Sequence, residues 1–114
     1  MVRINLMLDF YGDLLTKKQR RILESYYALN FSLVEIAQEE RSSRQAVHNL
    51  LHRGVQILED LETKLSMVRD HLARKQSLKK ACSEINNILA ICPDKIKPGL
   101  FELMQRLERL AEKE

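Results

Sequence analysis

Side chains able to do chemistry are few in these 114 residues. His48 and His52 stand four apart, the spacing at which two imidazoles on one helix face bind zinc. Residue 49 is Asn, however, not the Glu that would act as general base, and no third ligand lies nearby in sequence. Ser42 and Ser43 precede His48, but hydroxyls just ahead of an apolar-periodic segment read as helix caps, not nucleophiles. The three glycines, at 12, 54 and 99, are too scattered to cradle a phosphate. Cys82 and Cys92 form no CxxC pair, and no histidines cluster with them. The expectation is therefore no enzyme, no metal site and no cofactor. What remains is recognition chemistry. Arg44, Gln45, His48, Asn49 and His52 have side chains suited to base edges, Arg pairing with guanine and Gln or Asn with adenine.

Such residues read bases only if a helix presents them together. Ser32-Leu33-Val34-Glu35 is a capping box, and it predicts a short helix over about 33–39 with Leu33, Ile36 and Ala37 facing inward. A tight turn and a second helix follow, whose inner face is Val47 and Leu51. This is a helix-turn-helix, which lays its second helix in the major groove. Ala37 is small where the two helices cross. Ser42-x-x-Gln45 fits the capping-box rule and Ser43 suits the motif, so both stay open as the cap. Ser43 caps the helix or touches phosphate. Arg53 and the cluster Lys17, Lys18, Arg20 and Arg21 are candidate phosphate contacts. Solvated helix faces carry the same residue types. For Lys17–Arg21 that plainer reading is favoured, and for Arg44 and Gln45 recognition is.

The rest of the chain is built to position this motif. Leu, Ala, Glu, Lys, Arg and Gln dominate, and Gly and Pro are scarce, so the fold class is all-α. Ile4, Leu8, Tyr11 and Leu15 predict a helix over 3–15, with Gly12 inside it at a point of close packing. Thr16-Lys17-Lys18-Gln19 is a second capping box, opening a helix over about 17–29 that stops at Asn30. The recognition helix is expected to be long. Val47, Leu51, Gly54, Leu58, Leu61, Leu65, Val68 and Leu72 alternate in steps of four and three, and a helix of about 30 residues would reach ~45 Å. The basic run Arg74–Lys80 marks a bend. Helical pattern resumes over 78–91, Pro93 and Pro98-Gly99 break it, and a last amphipathic helix covers 100–112. Its apolar face is Leu100, Leu103, Met104, Leu107, Leu110 and Ala111. The domain reading is a helix-turn-helix over 1–62 and a C-terminal helical extension over 63–114. That extension packs on the first part or on a second copy, which leaves a homodimer open.

Residues 1–62 carry eight Lys/Arg against nine Asp/Glu, and residues 63–114 eleven against seven. The second part, with its balance of +4, permits nucleic-acid binding without demanding it. Asp9 and Asp13 interrupt the N-terminal apolar run, so no signal peptide is expected. No stretch reaches the ~20 apolar residues of a membrane span. Two isolated cysteines fit a reducing compartment, and the expected location is the cytoplasm.

Phe10-Tyr11-Gly12-Asp13-Leu14-Leu15-Thr16, then Gln19, Tyr26-Tyr27, Phe31-Ser32-Leu33-Val34-Glu35-Ile36-Ala37 and Ser43-Arg44-Gln45-Ala46-Val47, taken in order and spacing, resemble the YlxM-like family. These are small bacterial helix-turn-helix proteins associated with the signal recognition particle. The resemblance is close over residues 6–73. Ile36-Ala37, Ser43, Val47, Arg53-Gly54 and Leu58 also resemble region 4 of bacterial sigma factors, which binds promoter DNA. The resemblance implies an accessory or regulatory role in the targeting pathway, with the GTPase Ffh, its RNA and the receptor FtsY as partners. The alternative is a DNA-binding transcriptional regulator, dimeric because one such motif reads only a half-site.

The chain departs from the family in the turn. There the family favours an apolar residue, Gly and another apolar residue before the capping Ser, and here stand Glu40, Arg41 and Ser42. A non-Gly residue at positive φ costs ~1 kcal/mol or more, which a packed domain tolerates. Glu40 brings negative charge close to the reading face.

Overall fold

The computed structural model describes residues 2–113, with six α-helices and no strand among them. They are α1 (Val2–Tyr11), α2 (Lys17–Leu23), α3 (Leu33–Glu40), α4 (Arg44–Leu65), α5 (Met67–Leu89) and α6 (Lys97–Lys113). The chain divides into two units between Val68 and Arg69.

In the first unit α4 is the axis against which α1, α2 and α3 pack. Each helix contributes apolar residues at helical spacing: Met7, Leu8 and Tyr11 from α1, Ile22 and Leu23 from α2, Ile36 and Ala37 from α3. Val47, Leu51 and Leu58 face them from α4. Gly54 lies where α2 crosses α4. A Cβ placed there would stand 2.3 Å from Cδ1 of Leu23, a fully buried side chain, so the crossing needs a residue without one.

Both expected capping boxes form. Thr16 Oγ1 accepts from the Gln19 N–H at 3.1 Å while Gln19 Oε1 accepts from the Thr16 N–H at 3.2 Å. Ser32 and Glu35 exchange the same two bonds at 3.1 and 3.2 Å. The expected first helix, 3–15, is shorter than its apolar pattern. The chain tightens into a 3₁₀ turn at Gly12–Leu14, and the Arg20 side chain lies over the buried glycine. The second helix, expected through 29, widens after Leu23 into a π turn, Glu24–Ala28, and Asn30 ends it at φ 59° as expected.

The long recognition helix is not continuous. It ends at Leu65, and Ser66 adopts φ 54°. The seam pattern gave no sign of this, because the break is made by side chains distant in sequence. The Tyr11 hydroxyl donates to Glu62 Oε1 at 2.7 Å and accepts from the Met67 N–H at 3.1 Å. Glu62 Oε1 also accepts from the Val68 N–H at 3.0 Å. Two N–H groups at the start of α5, which in an unbroken helix would bond carbonyls four residues back, are satisfied here by Tyr11 and Glu62 instead. Leu65 and Leu72, both expected in the seam, are about half exposed, while Val68 joins the core.

In the second unit the basic run makes no bend, and α5 passes through it to Leu89. Lys, Arg and Gln are good helix formers, and nothing between 74 and 80 opposes the helix. Nor do Pro98 and Gly99 delay α6, since Pro98 falls in its first turn, where no intrahelical donor is needed. The expected apolar face of α6 splits. Leu100, Met104, Leu107 and Ala111 are partly covered, whereas Leu103 and Leu110 are exposed. On α5, Ile85 is buried and Leu78, Ala81, Cys82 and Leu89 partly so. Lys75, Lys79 and Cys82 line one shallow cleft with Glu108, Ala111 and Glu112, so the end of α6 returns beside the middle of α5.

Candidate nucleic-acid interface

The turn between α3 and α4 is three residues long. Arg41 closes α3 in the left-handed region, at φ 51° and ψ 47°. Its N–H bonds the Gln38 carbonyl at 3.3 Å, and the Ser42 N–H bonds the Ala37 carbonyl at 2.9 Å. This is the position where a glycine would be free of strain. The choice between serines falls to Ser43, whose Oγ accepts from the Ala46 N–H at 3.0 Å. Its extended backbone then starts α4.

From that cap, burial sorts the first turns of α4 into two faces. Val47 and Leu51 are buried, and Arg44, Gln45, His48, Asn49, His52 and Arg53 are exposed. The outer residues are linked to one another along the helix. Gln45 Nε2 donates to Asn49 Oδ1 at 3.1 Å, and the Nε2 atoms of His48 and His52 lie 3.0 Å apart with rings edge to face. Each link is an i, i+4 pair that a base edge can replace. No group of three or more metal-ligating side chains occurs among the described residues.

The basic cluster of α2 is less uniform than its sequence suggests. Lys17 and Lys18 are exposed in the first helical turn, where the helix dipole favours acids. Arg20 is held by Asp13 and, at 2.8 Å, by Glu24. Arg21 grips Glu40 with two bonds, Nε to Oε2 at 2.8 Å and a terminal nitrogen to Oε1 at 2.5 Å. That pair holds the Glu40 carboxyl below the ordinary carboxylate range, with Lys18 adding a smaller pull. The negative charge in the turn is thus matched across α2 and α3, and Arg21 meets phosphate only with what its fork has left over. Sequence reasoning did not nominate Arg41. It is exposed and stands two residues before the cap, and its only signal was standing where a glycine is expected.

The fold and this turn define a helix-turn-helix protein. The chain matches the family UPF0122, described as "Putative helix-turn-helix protein, YlxM / p13 like", over residues 1–92. It is 47% identical over 78 residues to a UPF0122 protein of Streptococcus gordonii, covering 68% of this chain and 71% of that one. A UPF0122 protein of Streptococcus pneumoniae strain Hungary19A-6 is 49% identical over 74 residues, 65% and 67% of the two chains. The chain belongs to the UPF0122, YlxM/p13-like family. No helix among the described residues is long and apolar enough to cross a membrane.

Proposed function

We propose that this is a non-enzymatic cytoplasmic protein that binds nucleic acid or a nucleoprotein through the outer face of α4, as an accessory factor of the signal recognition particle pathway. One observation carries the binding reading. Behind the Ser43 cap, five side chains able to bond bases are exposed over the first turns of α4: Arg44 at its first position, His48 on its flank, and Gln45, Asn49 and His52 on the side away from Val47 and Leu51. Ser43, Arg53, Lys17, Lys18 and Arg21 are assigned to phosphate. The pathway assignment rests on the family, whose resemblance implies the particle's RNA, Ffh and FtsY as partners.

A DNA-binding regulator is the second reading, favoured by the tight turn and serine cap that sigma region 4 also uses. Anisotropy of labelled signal-recognition-particle RNA, with duplex DNA as competitor and with and without Ffh, separates them. Binding that survives excess duplex, or that needs Ffh, supports the targeting role. Equal competition by DNA, or no binding, contradicts it in its RNA-dependent form.

A further inference from the structure

The exposed side of α5 has no role in the motif, yet it carries a run of cations. We infer that α5 is a second nucleic-acid surface, one that holds the phosphodiester backbone of a duplex without reading its sequence. The inference shares with the α4 reading only the premise that the chain binds nucleic acid, and it places a contact on a different helix.

Lys75, Lys79 and Lys80 are exposed on an unbroken helix and form no ion pair or hydrogen bond among the described residues. Gln76, Ser83, Asn86 and Asn87, also exposed, continue the same side of the helix with neutral donors. From Lys75 to Asn87 the helix rises ~18 Å, about the length of five base pairs. Glu108 and Glu112 share a cleft with Lys75 and Lys79, and Glu84 follows Lys80 by four residues, yet none comes within ion-pair distance of these lysines. Arg3, Arg20 and Arg21 of the first unit are each paired with acids, and its exposed Lys17, Lys18, Arg44 and Arg53 belong to the motif already described. Free ammoniums at successive helical turns, interleaved with amides and a hydroxyl, are the composition of a backbone contact. No Phe, Tyr or Trp lies on α5, and its one histidine, His71, is buried, so nothing on it stacks on unpaired bases, which favours a duplex over a single strand. The side from Lys75 to Asn87 carries no large apolar residue among these polar ones, which disfavours a membrane surface.

The test uses the full chain and two labelled probes, a mixed-sequence DNA duplex and an RNA duplex of equal length, titrated over a salt series. Lys75→Gln, Lys79→Gln and Lys80→Gln are combined in one variant. Gln keeps helix propensity, and circular dichroism checks the fold. A control removes equal charge elsewhere through Lys64→Gln, Lys95→Gln and Arg106→Gln. The slope of log affinity against log salt should fall by ~2–3 in the first variant and stay in place in the control. The larger change, on DNA or on RNA, identifies the source of the backbone. An unchanged slope overturns the inference, as does an equal fall in the control or displacement by polyglutamate at matched charge. An Arg44→Ala/Gln45→Ala variant tells the two surfaces apart. If it binds these mixed-sequence duplexes like the parent while the lysine variant fails, the sequence-independent contact lies on α5 and not on the reading residues of α4. If the parent chain binds neither duplex, this inference falls, while the α4 reading is decided by the signal-recognition-particle RNA titration with and without Ffh.

Discussion

The hydroxyl of Tyr11, in the first helix, donates to the carboxylate of Glu62, near the end of the fourth, at 2.7 Å and in a buried setting. The same hydroxyl accepts from the Met67 N–H, and the same carboxylate oxygen accepts from Val68. These two side chains let α4 stop and α5 start with no glycine or proline at the junction. Tyr11→Phe therefore removes a bond from each of two partners. The expected loss is ~1–3 kcal/mol in urea unfolding, and a loss within a few tenths would contradict the role given to the hydroxyl.

Burial, and secondarily the bond to Glu62, raises the Tyr11 phenol above its ordinary value. With the folded pKa raised, the contribution is complete below the unfolded pKa and is lost as pH rises through the folded one. Unfolding free energy measured above pH ~10 should decline in the parent, and Tyr11→Phe should decline less. Parallel alkaline profiles would be the wrong result.

At the helix crossing, Gly54→Ala should destabilise by ~1–3 kcal/mol through overpacking, since Leu23 is fully buried and has little room to withdraw. Pairing it with Leu23→Ala should give less than the sum of the single effects, read by thermal melts of all four chains. Strict additivity would mean that the two positions do not touch.

Arg41 holds a left-handed conformation. Arg41→Gly should raise stability by up to ~1 kcal/mol, whereas Arg41→Ala should raise nothing. If the arginine also contacts phosphate, as its exposure and place in the turn suggest, Arg41→Gly should bind nucleic acid more weakly while being more stable. That opposition is visible when melting temperature and affinity are measured on one preparation.

Glu40 is held below the ordinary carboxylate range by the two hydrogen bonds it accepts from Arg21. A lowered folded pKa means stabilisation that is present above the unfolded value, about 4.3, and lost as pH falls through the folded one. Glu40→Gln should flatten that acid limb. It should also free the Arg21 guanidinium, giving tighter and more salt-dependent nucleic-acid binding at neutral pH.

How much the residues disclose depends on the range of the interaction involved. The capping boxes at Thr16 and Ser32, the stop at Asn30 and the inward Ile36, Ala37, Val47 and Leu51 were legible because each is set by neighbours within a few positions. Ser43 over Ser42 required the three-dimensional turn. The break at Ser66 was hidden, since Tyr11 stands 51 residues from Glu62 and the apolar seam runs through the junction uninterrupted. The outer residues of α4 could be named from type and spacing. The spending of Arg21 on Glu40, 19 residues away, could not.

The central claim is that the outer face of α4 binds nucleic acid, and Arg44→Ala with Gln45→Ala tests it most directly. Both side chains are exposed and neither contributes to the core, so the variant should melt like the parent. Binding to signal-recognition-particle RNA and to duplex DNA, measured by anisotropy at fixed salt, should weaken for the preferred ligand by ~1–3 kcal/mol per lost bidentate contact. A variant that folds normally and binds every probe as tightly as the parent would contradict the account.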